Sequence, residues 1–270
     1  MQDKFLTFSL MILTFNSYEV KSQNIQFGLY TCSLNKVDSF PDYYYLALFK
    51  DSSFCFYLTT GSYDHIVNER IAFGNFFIKE DTLILFDLLL KCDFKLLYGE
   101  KKLHTLKFFS PFEGASFSFF DSLSPNQWND LKIDNIQFAK KALIGNNKYT
   151  NKDVIGCYIN NFGPLIKREG KIYADYSYKI NLKANGTFEY WIYNNLFLKG
   201  KWSLKSSEIQ LWDSFIKSHF TLYLNEQKQL IPLVFPGNYS KENFFVLNKF
   251  HQNVDFLPIE AEVDTEIPDE

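Results

Sequence analysis

The sequence predicts an all-β protein of two repeated antiparallel meander units, which form two small barrels or the halves of one larger barrel. Residues 74–87 match residues 200–213 without a gap. Each stretch begins with Gly, has Phe or Trp two residues later and ends in Leu-aromatic-Asp. Aromatic residues make up 19% of the 270 residues, with 30 Phe and 17 Tyr. Because aromatic side chains fit the pleated, half-buried surface of a sheet, the composition agrees with the repeat.

The first 22 residues have the features of a secretory signal peptide. Lys4 precedes an apolar run at 5–15, whose length suits a signal core and is too short for a membrane span. Val20-Lys21-Ser22 offers a cleavage site that places the mature start near Gln23. A buried first strand is the alternative. We expect an exported protein, in the periplasm, at the cell surface or secreted, with no transmembrane segment beyond this peptide.

The repeat and the composition divide the rest of the chain. We expect a first β unit at 23–120, a linker at 121–154, a second β unit at 155–250 and an acidic tail at 251–270. The linker is predicted to be mainly irregular, with a short helix after Ser124-Pro125. The last segment carries seven acidic residues and no Lys or Arg, which indicates a disordered, solvated tail.

A hairpin is expected around Asn185-Gly186, where apolar and polar residues alternate with the period of a half-buried strand. A two-residue loop would set Leu182 opposite Glu189 and so mix the buried and exposed faces. A three-residue loop sets Leu182 opposite Phe188. We therefore predict this longer loop, with Gly186 in the left-handed conformation that often ends it.

The same register in the first unit sets Leu48 opposite Phe54 and puts Ser52 at the left-handed position. A residue with a Cβ atom carries a strain of roughly 1 kcal/mol in that conformation. The register therefore predicts that Ser52→Gly stabilises the protein.

The repeated stretch itself is expected to form the next hairpin, with Trp202 facing Leu211 as Phe76 faces Leu85. The turn segments 79–82 and 205–208 contain no Gly. This absence favours a four-residue loop around a type I turn over a two-residue primed turn.

The cysteine usage leaves two interpretations open. In an exported chain four cysteines permit disulfides, and three pairings are possible. Cysteine is also common as a small buried hydrophobe, which makes free buried thiols the simpler interpretation. The residues concerned are Cys32, Cys55, Cys92 and Cys157.

The sequence contains no recognisable catalytic arrangement. A net charge of −3 gives no reason to expect nucleic acid. Phosphate-binding Gly loops, nucleophile elbows, H-E-x-x-H pairs and zinc spacing are absent. Asp87 and Asp213 are equivalent, but each ends a strand, where Asp commonly accepts backbone N–H groups in a turn. We predict no enzyme, no catalytic, cofactor-binding or metal-binding residue, and no cofactor.

Several aromatic residues alternate with the inferred core residues and so are expected on the outer face of the sheets. Solvent-exposed apolar patches usually mark an interface. The alternative, which the sequence favours, is that the other unit buries this face. The residues are Tyr57, Phe77, Phe86, Trp191, Tyr193 and Trp212.

The repeated motifs resemble those of the small lipocalin-like (calycin-type) domains of exported bacterial proteins. The second copy carries them at Gly156-Cys157-Tyr158, Asn185-Gly186-Thr187-Phe188, Gly200-Lys201-Trp202-Ser203-Leu204 and Ile209-Gln210-Leu211. The first copy departs from the pattern, with Asp51-Ser52-Ser53-Phe54 and with Phe76 in place of Trp. The resemblance implies a meandering barrel in each copy and no particular ligand.

Two functions follow as expectations. The first is an exported, non-enzymatic binding or interaction protein, and the second is an accessory component of a bacterial envelope assembly that binds a protein partner. A roomy apolar cavity would favour a small apolar ligand. A filled interior with an exposed aromatic sheet would favour a partner surface.

Overall fold

The computed structural model describes residues 25–34, 43–62, 65–99, 101–122, 148–161, 165–174, 176–237, 246–250 and 252–256. The described residues form two antiparallel β units, as predicted, and a small third sheet. The signal peptide, the central part of the linker and the acidic residues after 256 lie outside this part of the chain. Among the described residues, no helix has the length and apolarity needed to cross a membrane.

The first unit is a closed barrel of eight antiparallel strands in chain order, in which β8 pairs back onto β1. The strands are β1 (Gly28–Ser33), β2 (Tyr43–Leu48), β3 (Ser53–Ser62), β4 (His65–Lys79), β5 (Thr82–Asp87), β6 (Asp93–Gly99), β7 (Lys102–Lys107) and β8 (Ser116–Asp121). A 3-10 turn at Ser110–Phe112 joins β7 to β8.

The rest of the described chain forms eleven strands and one short helix. These are α1 (Asn151–Val154), β9 (Gly156–Asn161), β10 (Ile166–Arg168), β11 (Lys171–Ala174), β12 (Tyr176–Leu182), β13 (Thr187–Ile192), β14 (Asn195–Lys205), β15 (Glu208–Asp213), β16 (Ser218–Leu224), β17 (Leu230–Val234), β18 (Asn248–Phe250) and β19 (Val254–Phe256).

The second unit repeats the barrel with an eight-stranded sheet ordered β17-β16-β15-β14-β13-β12-β9-β18. The strand β18 returns to pair with β9, as β8 pairs with β1 in the first barrel. A single bridge between Leu230 and Leu247, with backbone hydrogen bonds of 2.9 and 3.0 Å, joins the two ends of the sheet. The units are therefore two barrels, not halves of one.

A three-stranded sheet, ordered β10-β11-β19, lies against the outer face of β9. Cys157 and Ile159 of β9 are buried there against Ala174 and Val254. The strand β19 pairs in parallel with β11, although sequence composition assigns it to the disordered acidic tail. The prediction of a disordered tail is wrong for residues 254–256. The Val254 side chain is buried against β9 and β11, and the acidic composition of the segment does not reveal this contact.

The predicted register of the first hairpin in each unit is confirmed. Leu182 pairs with Phe188, and Leu48 pairs with Phe54. Gly186 has φ 77° and Ser52 has φ 63°, so both occupy the left-handed region as expected.

The predicted core pairing of the second hairpin is also confirmed, since Trp202 pairs with Leu211 and Phe76 with Leu85. The predicted four-residue loop is wrong. Lys79 pairs directly with Thr82, which leaves a two-residue turn. Its first residue, Glu80, has φ 59°, and the equivalent Ser206 also has φ 59°. Because the second turn residues, Asp81 and Ser207, do not have positive φ, both turns are of type II′.

The two barrels contact each other through an aromatic side chain. Phe197 of β14 is the extra residue of a β-bulge, since Tyr190 pairs with Leu198 while Trp191 pairs with Leu196. Its buried ring lies 5.5 Å from that of Phe109 and 5.8 Å from that of Phe112 in the first barrel. Because bulges re-aim side chains, this one directs a large apolar group out of its own sheet.

A second contact joins equivalent positions of the repeat. The Ser218 hydroxyl of the second barrel lies close enough to the Cys92 thiol of the first to offset part of the rise in its pKa. Each is the fifth residue after its repeated Asp, Asp87 or Asp213.

Candidate functional site

The interior of the first barrel is packed with aromatic rings. Phe56 lies at its centre, with ring-centroid distances of 4.9 Å to Phe108 and 5.3 Å to Phe112. Tyr44, Phe94, Phe109 and Phe117 complete this cluster, and all of its members are buried. Barrels of eight strands have interiors that side chains can fill. The centre of the barrel, where lipocalin-type proteins hold a ligand, is therefore occupied by the protein's own side chains.

The interior of the second barrel is also occupied by aromatic side chains. Tyr178 and Tyr190 stack at 6.4 Å, and Phe235 lies 4.4 Å from Tyr190. The Tyr190 hydroxyl donates to the Pro236 carbonyl at 2.9 Å. Its polar end is thus satisfied by the protein backbone.

The tyrosines at the start of each barrel are satisfied in the same way. Tyr30 donates to the Gln26 carbonyl at 2.8 Å and Tyr158 to the Val154 carbonyl at 2.7 Å. Burial raises the pKa of both hydroxyls. These groups are structural donors, not acids for catalysis.

Asp87 and Asp213 hold their turns together, as the sequence predicts. Asp87 accepts the backbone N–H groups of Phe73, Leu89 and Leu90 at 2.9, 2.8 and 2.6 Å. Asp213 accepts those of Lys199, Phe215 and Ile216 at 2.9, 2.9 and 2.8 Å. Burial raises the pKa of Asp87 to about 6, although the hydrogen bonds from these N–H groups act to lower it. Burial also raises the pKa of Asp213.

The structure separates the aromatic residues expected on the outer face. Phe77, Phe86 and Trp212 are exposed, so the favoured prediction that the other unit buries them is wrong. Tyr57 is buried in an outer cluster with Leu29, Ala47, Phe49 and Cys55. Trp191 and Tyr193 are half-buried. Trp191 lies beneath the Lys179 ammonium, whose nitrogen is 5.1 Å from the ring centroid.

Four of the six large exposed apolar side chains described in the first barrel lie on β4, on β7 and at the end of β5, whereas Phe27 and Phe120 lie elsewhere. Phe77 is 55% exposed, Phe86 39%, Leu88 40% and Leu106 58%. Ile84 of β5 pairs directly with Phe77 of β4, and its side chain is half-buried. We call these five residues, with Lys79, Lys91, Lys95 and Lys107 around them, the Phe77 face.

The second barrel provides an internal comparison for this face. In the aligned repeat, Phe77 corresponds to Ser203, Ile84 to Gln210 and Leu88 to Ser214. Only the aromatic character of Phe86 is retained, as Trp212, whose ring lies 4.4 Å from that of His219. Because the second barrel folds with polar residues at these positions, the barrel itself does not require the Phe77 face to be apolar.

The sequence identified only part of this face. Strand alternation indicates Phe77 and Phe86, but Leu88 lies beyond the strand end at Asp87, where alternation no longer applies. Leu106 follows a register shift between β6 and β7, which a single sequence does not reveal.

A groove lies at the start of the second barrel. It encloses about 430 Å³ and is open to solvent, and its lining includes Cys157, Asn181, Lys183, Glu189 and Asn253. Lys183 forms an ion pair with Glu189 at 2.6 Å, and the Asn181 amide donates to the Asn253 side-chain oxygen at 3.3 Å. Its polar groups therefore bind mainly to one another.

One pair of side chains resembles part of a hydrolase site. The Ser116 hydroxyl lies 2.6 Å from His104 Nδ1, and the two residues face each other across β7 and β8. The pair is exposed. No carboxylate of the described residues bonds to His104, so nothing there orients the imidazole as a catalytic base.

All four cysteines carry free, buried thiols, which confirms the simpler of the two interpretations. Burial raises the pKa of Cys32 to about 11 and those of Cys55 and Cys92 to about 12, and it also raises that of Cys157. Thiols with raised pKa values are poor nucleophiles at neutral pH. Within the described part of the chain, no three His, Cys, Asp or Glu side chains are placed to hold a metal ion.

Comparison of the chain with protein-family models, curated proteins and solved structures found no match. The lipocalin-like resemblance of the repeated motifs therefore stays a prediction, and the candidate site depends on the geometry alone.

Proposed function

We propose that the chain is an exported, non-enzymatic interaction protein of two lipocalin-like units that binds its partner on the outer surface of the first barrel. One observation carries the proposal. The barrel interiors are occupied by aromatic side chains, whereas the Phe77 face presents exposed apolar groups, three of which, Phe77, Ile84 and Leu88, are polar in the second barrel. Exposed apolar surface is costly to solubility, and it commonly marks an interaction site.

The state of the reactive groups supports a non-enzymatic role. The Asp87 and Asp213 carboxylates are occupied by backbone donors, and the thiols are buried with raised pKa values. His104 and Ser116 are exposed to solvent, and no described carboxylate bonds to the His104 imidazole. None of these groups has the substrate-sized pocket and oriented base that nucleophilic catalysis needs.

Export is supported by the apolar run at 5–15 behind Lys4, which precedes the described residues. Among exported proteins, an accessory component of a bacterial envelope assembly is the alternative function. It uses the same surface, but its partner is a protein of that assembly.

A photocrosslinking amino acid tests this proposal when it replaces Phe77 in the protein's own host. The matched control carries it at Ser203, the equivalent position of the second barrel. We expect crosslinked products from position 77 and at most background from position 203. Equal crosslinking at both positions contradicts the proposal. The proposal is also contradicted if position 77 gives no crosslink and native mass spectrometry finds a small molecule bound in the second-barrel groove.

A further inference from the structure

We propose that the Phe77 face binds the surface of an anionic lipid membrane. This inference rests on the proposed function, because it names the partner of the same surface. It follows from the shape of the face, from the cations around it and from its extent.

The apolar groups of the face project outward from the barrel. Phe77 and Ile84 are a cross-strand pair, and Phe86 lies diagonal to Phe77 on the same side of the sheet. Leu88 follows at the strand end. Neighbouring side chains that stand out from a convex barrel can enter the boundary between lipid headgroups and acyl chains together.

The cations around these groups are all lysines. Lys79, Lys91 and Lys95 are exposed, and Lys107 is half-buried. Among the strand residues of the face the single acid is Asp93, which lies 3.1 Å from Lys107 and 3.7 Å from Lys95. Glu80 and Asp81 occupy the β4–β5 turn, at the end of the strands away from Leu88.

Lysine side chains suit a lipid surface. At a membrane surface, Lys places its alkyl stem along the apolar boundary and keeps its ammonium among the anionic headgroups. Lys95 pairs with Ile84 across β5 and β6, which fits this arrangement.

The extent of the face points the same way. A stable protein interface buries roughly 800 Å² on each partner. A few side chains that are about half exposed supply much less than that area. Interfacial lipid binding has no such threshold, since it increases continuously with the apolar area inserted and with the attraction of each cation.

Vesicle co-sedimentation of the full chain, purified from its own host, tests the inference. We expect binding to vesicles of phosphatidylcholine with about one-third phosphatidylglycerol, and weaker binding to phosphatidylcholine alone. Salt at about 1 M, where the Debye length is about 3 Å, should weaken the binding.

Matched substitutions assign the binding to the face. We expect Phe77→Ser with Leu88→Ser, which introduces the residues of the second barrel, to weaken binding at least about tenfold. Phe120→Ser removes a ring that is 62% exposed on β8 and should leave binding within about twofold. Any contribution of the apolar run at 5–15 is the same in all variants.

The lysines have their own matched control. Lys79→Gln with Lys91→Gln should weaken binding to the anionic vesicles by about fivefold per charge. Lys205→Gln with Lys217→Gln removes the same charge at the equivalent positions of the second barrel and should have no effect.

Two results overturn the inference. One is absence of binding to every vesicle composition by a protein with wild-type melting behaviour. The other is binding that Phe77→Ser with Leu88→Ser leaves unchanged. If position 77 crosslinks to a protein in the host while the purified chain ignores vesicles, the proposed function stands and the lipid assignment is wrong.

Discussion

At the scale of single residues, Asp87 and Asp213 show how a repeated carboxylate can be structural. Each accepts three backbone N–H groups, two from the turn that follows it and one from the neighbouring strand. A buried carboxylate needs such donors to offset its loss of hydration. The local preference of Asp for turns was enough to predict this role from sequence, because most of the donors are near neighbours in the chain.

The raised pKa of Asp87 predicts a pH-dependent stability. Its folded-state pKa of about 6 exceeds the ordinary value of 3.8, so the folded protein binds the proton more tightly than the unfolded chain. The resulting stabilisation is complete below about pH 4 and is lost as the pH rises through about 6, by up to roughly 3 kcal/mol. Asp87→Asn should be less stable at every pH, because its amide cannot accept all three donors, and should lack this part of the pH dependence.

Urea unfolding between pH 4 and pH 7 measures the effect as the difference between the two stability curves. Asp81→Asn, in the exposed turn, is the control for the loss of a carboxylate at the surface. Parallel curves for Asp87→Asn would show that burial does not shift this carboxyl.

At the scale of elements, the first hairpin of each unit offers a paired substitution. Ser52 and Gly186 occupy the same left-handed turn position, and each carbonyl accepts the N–H of the next hairpin, from Phe76 or Trp202. Ser52→Gly should raise the free energy of unfolding by up to about 1 kcal/mol. Gly186→Ser should lower it by a similar amount, since a Cβ there meets only the Trp202 carbonyl at an ordinary 3.9 Å. Thermal melting of both variants checks the signs, and a Ser52→Gly protein that melts at or below the wild type contradicts this prediction.

Sequence alone predicted the strands and most of their pairing, because hydrophobic alternation fixes which side chains share a face. It failed at the second hairpin turn. Glu80 and Ser206 adopt positive φ although they are not Gly, because the ladder continues to the Lys79–Thr82 and Lys205–Glu208 pairs. Tertiary pairing outweighs a local preference of about 1 kcal/mol at such positions.

The candidate site was predictable to a smaller extent. Alternation placed Phe77 and Phe86 on the outer face, but it treated Tyr57 in the same way. Tyr57 is buried because its neighbours Ala47 and Cys55 form a second apolar layer outside the barrel. Periodicity identifies the outward side of a strand, but it carries no information about which outward positions are covered.

At the scale of the whole molecule, Phe197 links the two barrels. Phe197 and Leu198 are adjacent and both fully buried, and the ring of Phe197 packs against the first barrel. The bulge at Phe197 could not be predicted, since one inserted residue leaves no mark in composition or spacing. Ile71 is the corresponding bulge residue of the first barrel and is also fully buried. Both barrels therefore have a bulge at the same position of the repeat.

Removing this link should uncouple the barrels. Phe197→Ala should lower the free energy of unfolding by about 3 kcal/mol or more and should divide one calorimetric transition into two. Phe220→Ala, which truncates a buried ring packed on Phe235 within the second barrel, is the control. It should cost a similar amount without making the first barrel melt separately. A single two-state transition for Phe197→Ala would show that other contacts couple the barrels.

The closure of the second barrel by β18 also sets an order of events during synthesis. The first barrel is complete at β8, so it can fold while the second is still being translated. The strand β9 emerges early in the second unit but must wait for β18, whose Phe250 pairs with Cys157. Until then, the rings of Phe109 and Phe112 offer Phe197 an already folded docking place. The first barrel can thus act as a template on which the nascent second barrel assembles.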